Sequence, residues 1–150
     1  MTEGTSKDIV VGVDGSAGAD AALAFALEDA ARRGVNVRAV YSWHIPTLAL
    51  APAPFGTVIP APTELQEAAT EALTTILADV TAPEGVSVIP VVREGPAASV
   101  LLDEARDASL LVVGSRGHGG FTGLLLGSVS QQCASHSTCP VVVVHPEAKD

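Results

Sequence analysis

Lysine is nearly missing from this chain of 150 residues: only Lys7 and Lys149 occur, both near the ends. A phosphate-binding loop of the Walker type needs a lysine inside a glycine-rich turn, so that mode of binding is excluded. Basic residues as a whole are scarce, 8 against 17 acidic ones, for a formal net charge of −9. A nucleic-acid binder needs a basic face to neutralise phosphates, and that class is excluded too. Cysteine is limited to Cys133 and Cys139, at no metal-ligand spacing. Both read as reduced thiols, small hydrophobes rather than redox partners. The histidines, His44, His118, His136 and His145, are scattered, and nothing suggests that three converge on a metal. No apolar run reaches the roughly 18 residues of a membrane span. The longest, residues 48–62, is broken by four prolines. The first residues, MTEGTSKD, are polar and acidic and do not resemble a signal peptide. A cytoplasmic location is expected, away from nucleic acid and membrane.

What remains is apolar and regular. Hydrophobic residues make up 47%, charged residues 17%, and the mean hydropathy is +0.38, which excludes disorder for the bulk. The length suits a single domain over 1–150, with short polar tails at 1–7 and 146–150. Strand and helix signals alternate. Strands are expected at 9–13, 35–43, 86–92, 110–113 and 140–144, where short β-branched runs occur. Helices are expected at 19–33, from a capping box at Thr63-Glu64-Leu65-Gln66 to about 80, from Pro96 as first residue to about 107, and at 128–135. Residues 46–62 are too rich in proline to be regular, and so long a loop is usually functional or mobile. Trp43 and Phe55 flank this segment; packing on the core and covering a ligand are equally open for them. The alternation implies a doubly wound α/β fold, a parallel sheet with helices on both faces. Ligands in such sheets sit beyond the carboxyl ends of the strands, where the winding reverses. If strands one and four meet at that reversal, Asp14 and Gly114 face each other across the crevice.

The segment 111-LVVGSRGHGGFTGLLLGSVS-130 reads as an anion site. Gly114 and Gly117 permit a tight turn and close backbone approach to a ligand. Gly127-Ser128 stands where the next helix begins, so free amides and the helix dipole point at whatever occupies the loop. Ser128 and Ser130 add hydroxyl donors. Arg116 is the one basic side chain that reaches for a phosphate, although loop arginines are more often solvated. Asp14-Gly15 alone is a common turn pair.

The spacing G-x2-G-x9-G-S after a β-branched strand resembles the nucleotide signature of the universal stress protein family. IVVGVDGS at 9–16 is similar to the family's start, and SVSQQCASHSTCPVVVV at 128–144 to its last helix and strand. The resemblance covers essentially the whole chain and points to the ATP-binding branch. It implies a flavodoxin-like five-stranded parallel sheet in the order 3-2-1-4-5. It implies that Asp14 contacts the nucleoside and that the backbone at Ser42, with Val40 and Tyr41 as neighbours, holds the adenine. Gly114 and Gly117 would lie along ribose and phosphates. Gly127, Ser128 and Val129 would hold the phosphates, with Ser130 nearby. Mg²⁺ (or Mn²⁺) would arrive with the phosphates, near Asp14, since this ion needs only one or two protein carboxylates.

Four consecutive valines, 141–144, make a terminal edge prone to pairing. The family commonly pairs its last strands across a two-fold axis, so a homodimer is implied. The function expected is that of a stress-response module in which ATP binding alters a surface read by an unidentified protein partner. No catalytic residue is assigned: there is no G-x-S-x-G elbow and no general base is placed. Two alternatives stand beside it. One is a dimeric interaction module that needs no nucleotide. The other is slow ATP hydrolysis or phosphotransfer, including an adenine-nucleotide α-hydrolase, for which Asp14-Gly15-Ser16-Ala17-Gly18 is only a thin signature.

Overall fold

Five short, mostly apolar runs pair side by side; the central ones are largely buried on both faces, the two outer ones only in part. The computed structural model describes residues 7–45, 60–116 and 126–146. Its strands are β1 (Ile9–Gly12), β2 (Val37–Trp43), β3 (Val88–Glu94), β4 (Leu110–Gly114) and β5 (Val141–Val144). Its helices are α1 (Ala17–Arg33), α2 (Pro62–Ala78), α3 (Ala97–Glu104) and α4 (Ser128–His136). The sheet order is β3-β2-β1-β4-β5 and every pair is parallel. The fold is therefore the α/β, flavodoxin-like arrangement expected, with the reversal between β1 and β4. Val11 stands at its centre, opposite Ala39 on one side and Val112 on the other.

Alternation along the strands divides the core in two. Ile9, Val11 and Val13 join Ala22, Leu23 and Ala26 of α1 and Leu73 of α2 on one face. Val10, Leu111 and Val113 join Val100 and Leu101 of α3 and Cys133 of α4 on the other. Helices thus cover both faces. Burial pushes the Cys133 thiol up to about 11, so this cysteine is an inert core residue.

Several boundaries differ from expectation for local reasons. α1 begins two residues early because Ser16 caps it, its Oγ accepting from the Ala19 amide at 3.2 Å. β3 starts at Val88, since the Val86 amide is spent closing a turn on the Pro83 carbonyl at 3.0 Å. Pro96 is the cap of α3 rather than its first residue, and 105–107 tighten into a 3₁₀ turn. The capping box at Thr63–Gln66 does not form. Pro62, with its fixed φ and missing amide, takes the first helical position instead, and Ala61 supplies no side-chain cap. Gln66 is drawn elsewhere: its Oε1 accepts from Trp43 Nε1 at 2.6 Å, tying the end of β2 to α2.

Two of the arginines are used in holding α3 to the sheet. Arg38 of β2 reaches Glu104 at 3.4 Å and Asp107 at 3.0 Å. Arg93 of β3 reaches Asp103 at 2.6 Å and Glu104 at 2.9 Å. Hydrogen bonding to Arg93 and its positive charge hold the Asp103 carboxyl below the usual range, and Arg38 does the same for Asp107. Among the described residues, no helix is long and apolar enough to cross a membrane.

Candidate functional site

The carboxyl ends of β1, β2 and β4 surround the reversal point. β1 pairs with β2 only as far as Gly12 opposite Val40, with one further bond from the Val13 amide to the Val40 carbonyl at 3.0 Å. β2 continues to Trp43 against β3 alone, with Ser42 opposite Arg93. Backbone groups alternate sides along a strand, and Val40 presents its carbonyl to β1, so Ser42 presents its own toward the place where β1 has ended. An extended ligand edge placed there meets a strand backbone.

Asp14 follows β1 on an exposed turn, and its Oδ1 accepts from the Ser16 amide at 2.9 Å. This turn carries the chain into α1, whose first turn lies directly on the end of β4. A Cβ on Gly114 would stand 2.7 Å from the Gly18 carbonyl carbon. A Cβ on Gly18 would stand 2.7 Å from the Arg116 carbonyl oxygen. Both glycines are therefore required by the seating of helix on strand, whatever else they face. Gly18, named in the sequence only within a thin hydrolase signature, has a packing role beside the site that sequence reasoning missed. Its signal, Gly12-x-x-Gly15-x-x-Gly18, has no meaning until α1 and β4 are seen in contact.

Gly127 is different. Its φ of −76° suits any residue, and an added Cβ would make ordinary contacts, 3.5 Å to the Ser115 carbonyl oxygen and 3.6 Å to the Arg116 Cα. Among the described residues neither strain nor packing demands glycine here, and the bare backbone leaves room that a side chain would fill.

The start of α4 opens on that space. α1 satisfies one of its first amides with Ser16, whereas α4 has no side-chain cap. Its first intrahelical bond runs from the Gln131 amide to the Gly127 carbonyl at 3.0 Å. The amides of Ser128, Val129 and Ser130 therefore lie at the positions that find no partner inside a helix. The Gly127 amide is not among these donors, because it is committed to the Ser115 carbonyl at 2.6 Å. Ser128 is exposed and Val129 half-buried. Ser130 reaches the helix end, but its hydroxyl is buried and directed to the carbonyls of Ser115 and Gly127, each at 3.0 Å. Ser115 is wholly buried, and its Oγ has no hydrogen-bond partner among the described residues.

Arg116 is half-buried between the α1 and α4 ends, and no ion pair to it occurs among the described residues. The structure thus gathers Gly114, Arg116, Gly127, Ser128, Val129 and Ser130 around the ends of β4 and α4. Asp14 and Ser42 come from the neighbouring strands. Gly117, His118, Phe55 and residues 46–59 of the proline-rich segment lie outside the described residues; Pro62 belongs to α2. His44, His136 and His145 are exposed, and no group of three metal-ligating side chains occurs among the described residues. A separate open groove of about 540 Å³ runs between α1 and the end of α2, past Leu23, Leu27, Ile76 and Val80. Gly15, in the turn after β1, and Asp20, in the first turn of α1, also line it.

A doubly wound parallel sheet with an uncapped, glycine-fronted helix beside its reversal point defines a flavodoxin-like α/β domain. The chain belongs to the universal stress protein family, whose model matches residues 5–145. A universal stress protein of Mycolicibacterium smegmatis is 40% identical over 144 residues, which are 92% of this chain and 45% of that protein. The chain thus spans about half the length of the curated relatives it matches. A universal stress protein family structure from Burkholderia pseudomallei is 27% identical, with a TM-score of 0.65, over 97% of this chain and 99% of the other. A universal stress protein solved in complex with cAMP is 25% identical, with a TM-score of 0.56, over 95% and 100% of the two chains.

Proposed function

We propose that this chain binds an adenine nucleotide, ATP with Mg²⁺ or Mn²⁺, across the β1–β4 reversal. The adenine lies along the backbone at Ser42, the nucleoside beside Asp14, and the phosphates at Gly127 and the start of α4. The observation that carries the reading is the pairing of Gly127 with an uncapped helix end. Three amides there lack helical partners, and nothing among the described residues requires the one glycine beside them to be glycine. The cAMP complex of a related protein supports a nucleotide in this fold. Backbone amides supply the positive potential that lysine does not, together with the half-buried Arg116. With a formal charge of −9 on the protein, a divalent ion lowers the repulsion against ATP. Binding rather than turnover is the role: nucleotide biases the conformation around the site and so a surface read by a protein partner. The ligand shifts that equilibrium only by its differential affinity for the two states.

Thermal unfolding with and without Mg-ATP tests this. At 100 times the dissociation constant, a bound ligand adds about 2.7 kcal/mol of stability. A clear upward shift, larger with Mg-ATP than with ATP alone, is expected. No shift at millimolar Mg-ATP, in protein shown to carry no nucleotide, rejects the reading. Release of AMP and pyrophosphate would instead indicate an α-hydrolase.

A homodimer through β5 is the second part of the reading, and a contrast between the two sheet edges favours it. β3 is blunted as an edge by Pro90 in its middle and by Arg93 and Glu94 at its end. β5 carries four half-buried valines with neither proline nor charge. Natural edges are normally protected in the manner of β3, so an unprotected one calls for a partner strand. A second copy supplies it with two-fold symmetry.

A further inference from the structure

We infer that the Ser130 side chain is a positioning group: its hydroxyl holds the start of α4 in place for phosphate instead of touching phosphate itself. The inference rests on the nucleotide reading above. Its hydroxyl is one donor, and that donor is shared between the Ser115 and Gly127 carbonyls at 3.0 Å each. Ser130 is 2% exposed, so the bond is made in the interior. The Ser115 carbonyl also accepts from the Gly127 amide at 2.6 Å, while the Ser115 amide donates to the Val144 carbonyl at 2.9 Å. One residue at the end of β4 is therefore bonded to β5, to the residue before α4, and to the third residue of α4. These bonds close the two ends of the β4–α4 connection on each other. They fix where the Ser128 and Val129 amides stand relative to the sheet. A donor site for phosphate depends on that placement, because fixed amides need no reorganisation when the anion arrives.

The test compares Ser130→Ala and Ser130→Thr in the full chain. Amide hydrogen exchange is read without nucleotide, and affinities for Mg-ATP and for adenosine by calorimetry. In Ser130→Ala the Gly127 amide exchanges at least about tenfold faster, because its partner is no longer held. Mg-ATP binds about five- to tenfold more weakly, the usual effect of one lost hydrogen bond. Adenosine affinity is unchanged, since adenosine lacks the phosphates, and Ser130→Thr restores both exchange and Mg-ATP affinity. A general loss of structure would weaken both ligands and so overturns the inference. Weaker Mg-ATP binding with unchanged Gly127 exchange makes Ser130 a direct contact and also overturns it. Wild-type protein that binds Mg-ATP while Ser130→Ala behaves identically overturns this inference alone. Wild-type protein that binds neither ligand overturns the nucleotide reading, and the positioning role with it.

Discussion

Gly18 of α1 and Gly114 of β4 meet backbone to backbone: a Cβ on Gly114 would fall 2.7 Å from the Gly18 carbonyl carbon. That approach seats the first turn of α1 on the end of β4, and the site is built around the seam. Neither partner is the movable tip of a side chain, so the contact has no cheap relief.

Gly114→Ala is therefore expected to destabilise the fold by about 2–3 kcal/mol through overpacking. For a chain of this size that is a fall of roughly 5–10 °C in the midpoint of thermal unfolding. A midpoint equal to wild type would show that α1 and β4 do not sit this closely.

Gly127→Val separates binding from folding. An added Cβ makes only ordinary contacts at 3.5 and 3.6 Å, so the midpoint should move by no more than roughly 3 °C, about 1 kcal/mol. Mg-ATP binding should be lost, because the branched side chain fills the space before α4. A folded Gly127→Val protein with wild-type affinity would place the phosphates elsewhere.

The free edge of β5 gives a prediction about assembly. The carbonyls of Pro140 and Val144 accept from β4, so the even-numbered positions face inward and Val143 turns its amide outward. Val143→Pro removes one outward donor and leaves the β4 ladder intact, a placement tolerated on edge strands. Sedimentation should show a dimer for the wild type and a folded monomer for the variant. A Val143→Pro dimer of undiminished affinity would exclude pairing through this edge.

Acid should loosen α3 first. Asp103 is held below its ordinary value by hydrogen bonding to Arg93, and Asp107 by Arg38. A carboxyl lowered in the folded state adds stability above its unfolded value, and that stability is lost as pH falls through the folded one. The window thus opens near pH 4 and extends below it. Both carboxylates are solvated, so the effect is modest. Arg93→Met should lower the midpoint at neutral pH and shrink the fall between about pH 5 and pH 3. An identical fall in wild type and variant would remove Asp103 from the acid response.

Much of the architecture was legible along the chain. Short β-branched runs separated by helical periods dictate a parallel sheet, because strands buried on both faces must be apolar throughout and crossovers need room for a helix. The spacing of Gly114 and Gly127 also put one at the carboxyl end of a strand and the other before a helix, where the structure has them. Boundaries were less legible, since a single local bond decides them: Pro62 displaced Thr63 as the start of α2, and the turn from Pro83 to Val86 delayed β3.

The residue string therefore determined the fold class, the absence of a lysine-based phosphate loop and the neighbourhood of the candidate site. It could not separate a glycine that packing requires from one that packing, among the described residues, does not. Gly114 and Gly127 look alike in sequence, yet only the first is pressed against another backbone. Nor could it distinguish Ser128, exposed at the start of α4, from Ser130, whose hydroxyl is turned into the interior. Tertiary structure alone decided both, because each depends on which distant backbone stands within a few ångströms, and that distance is set by how α1 and α4 settle on the sheet.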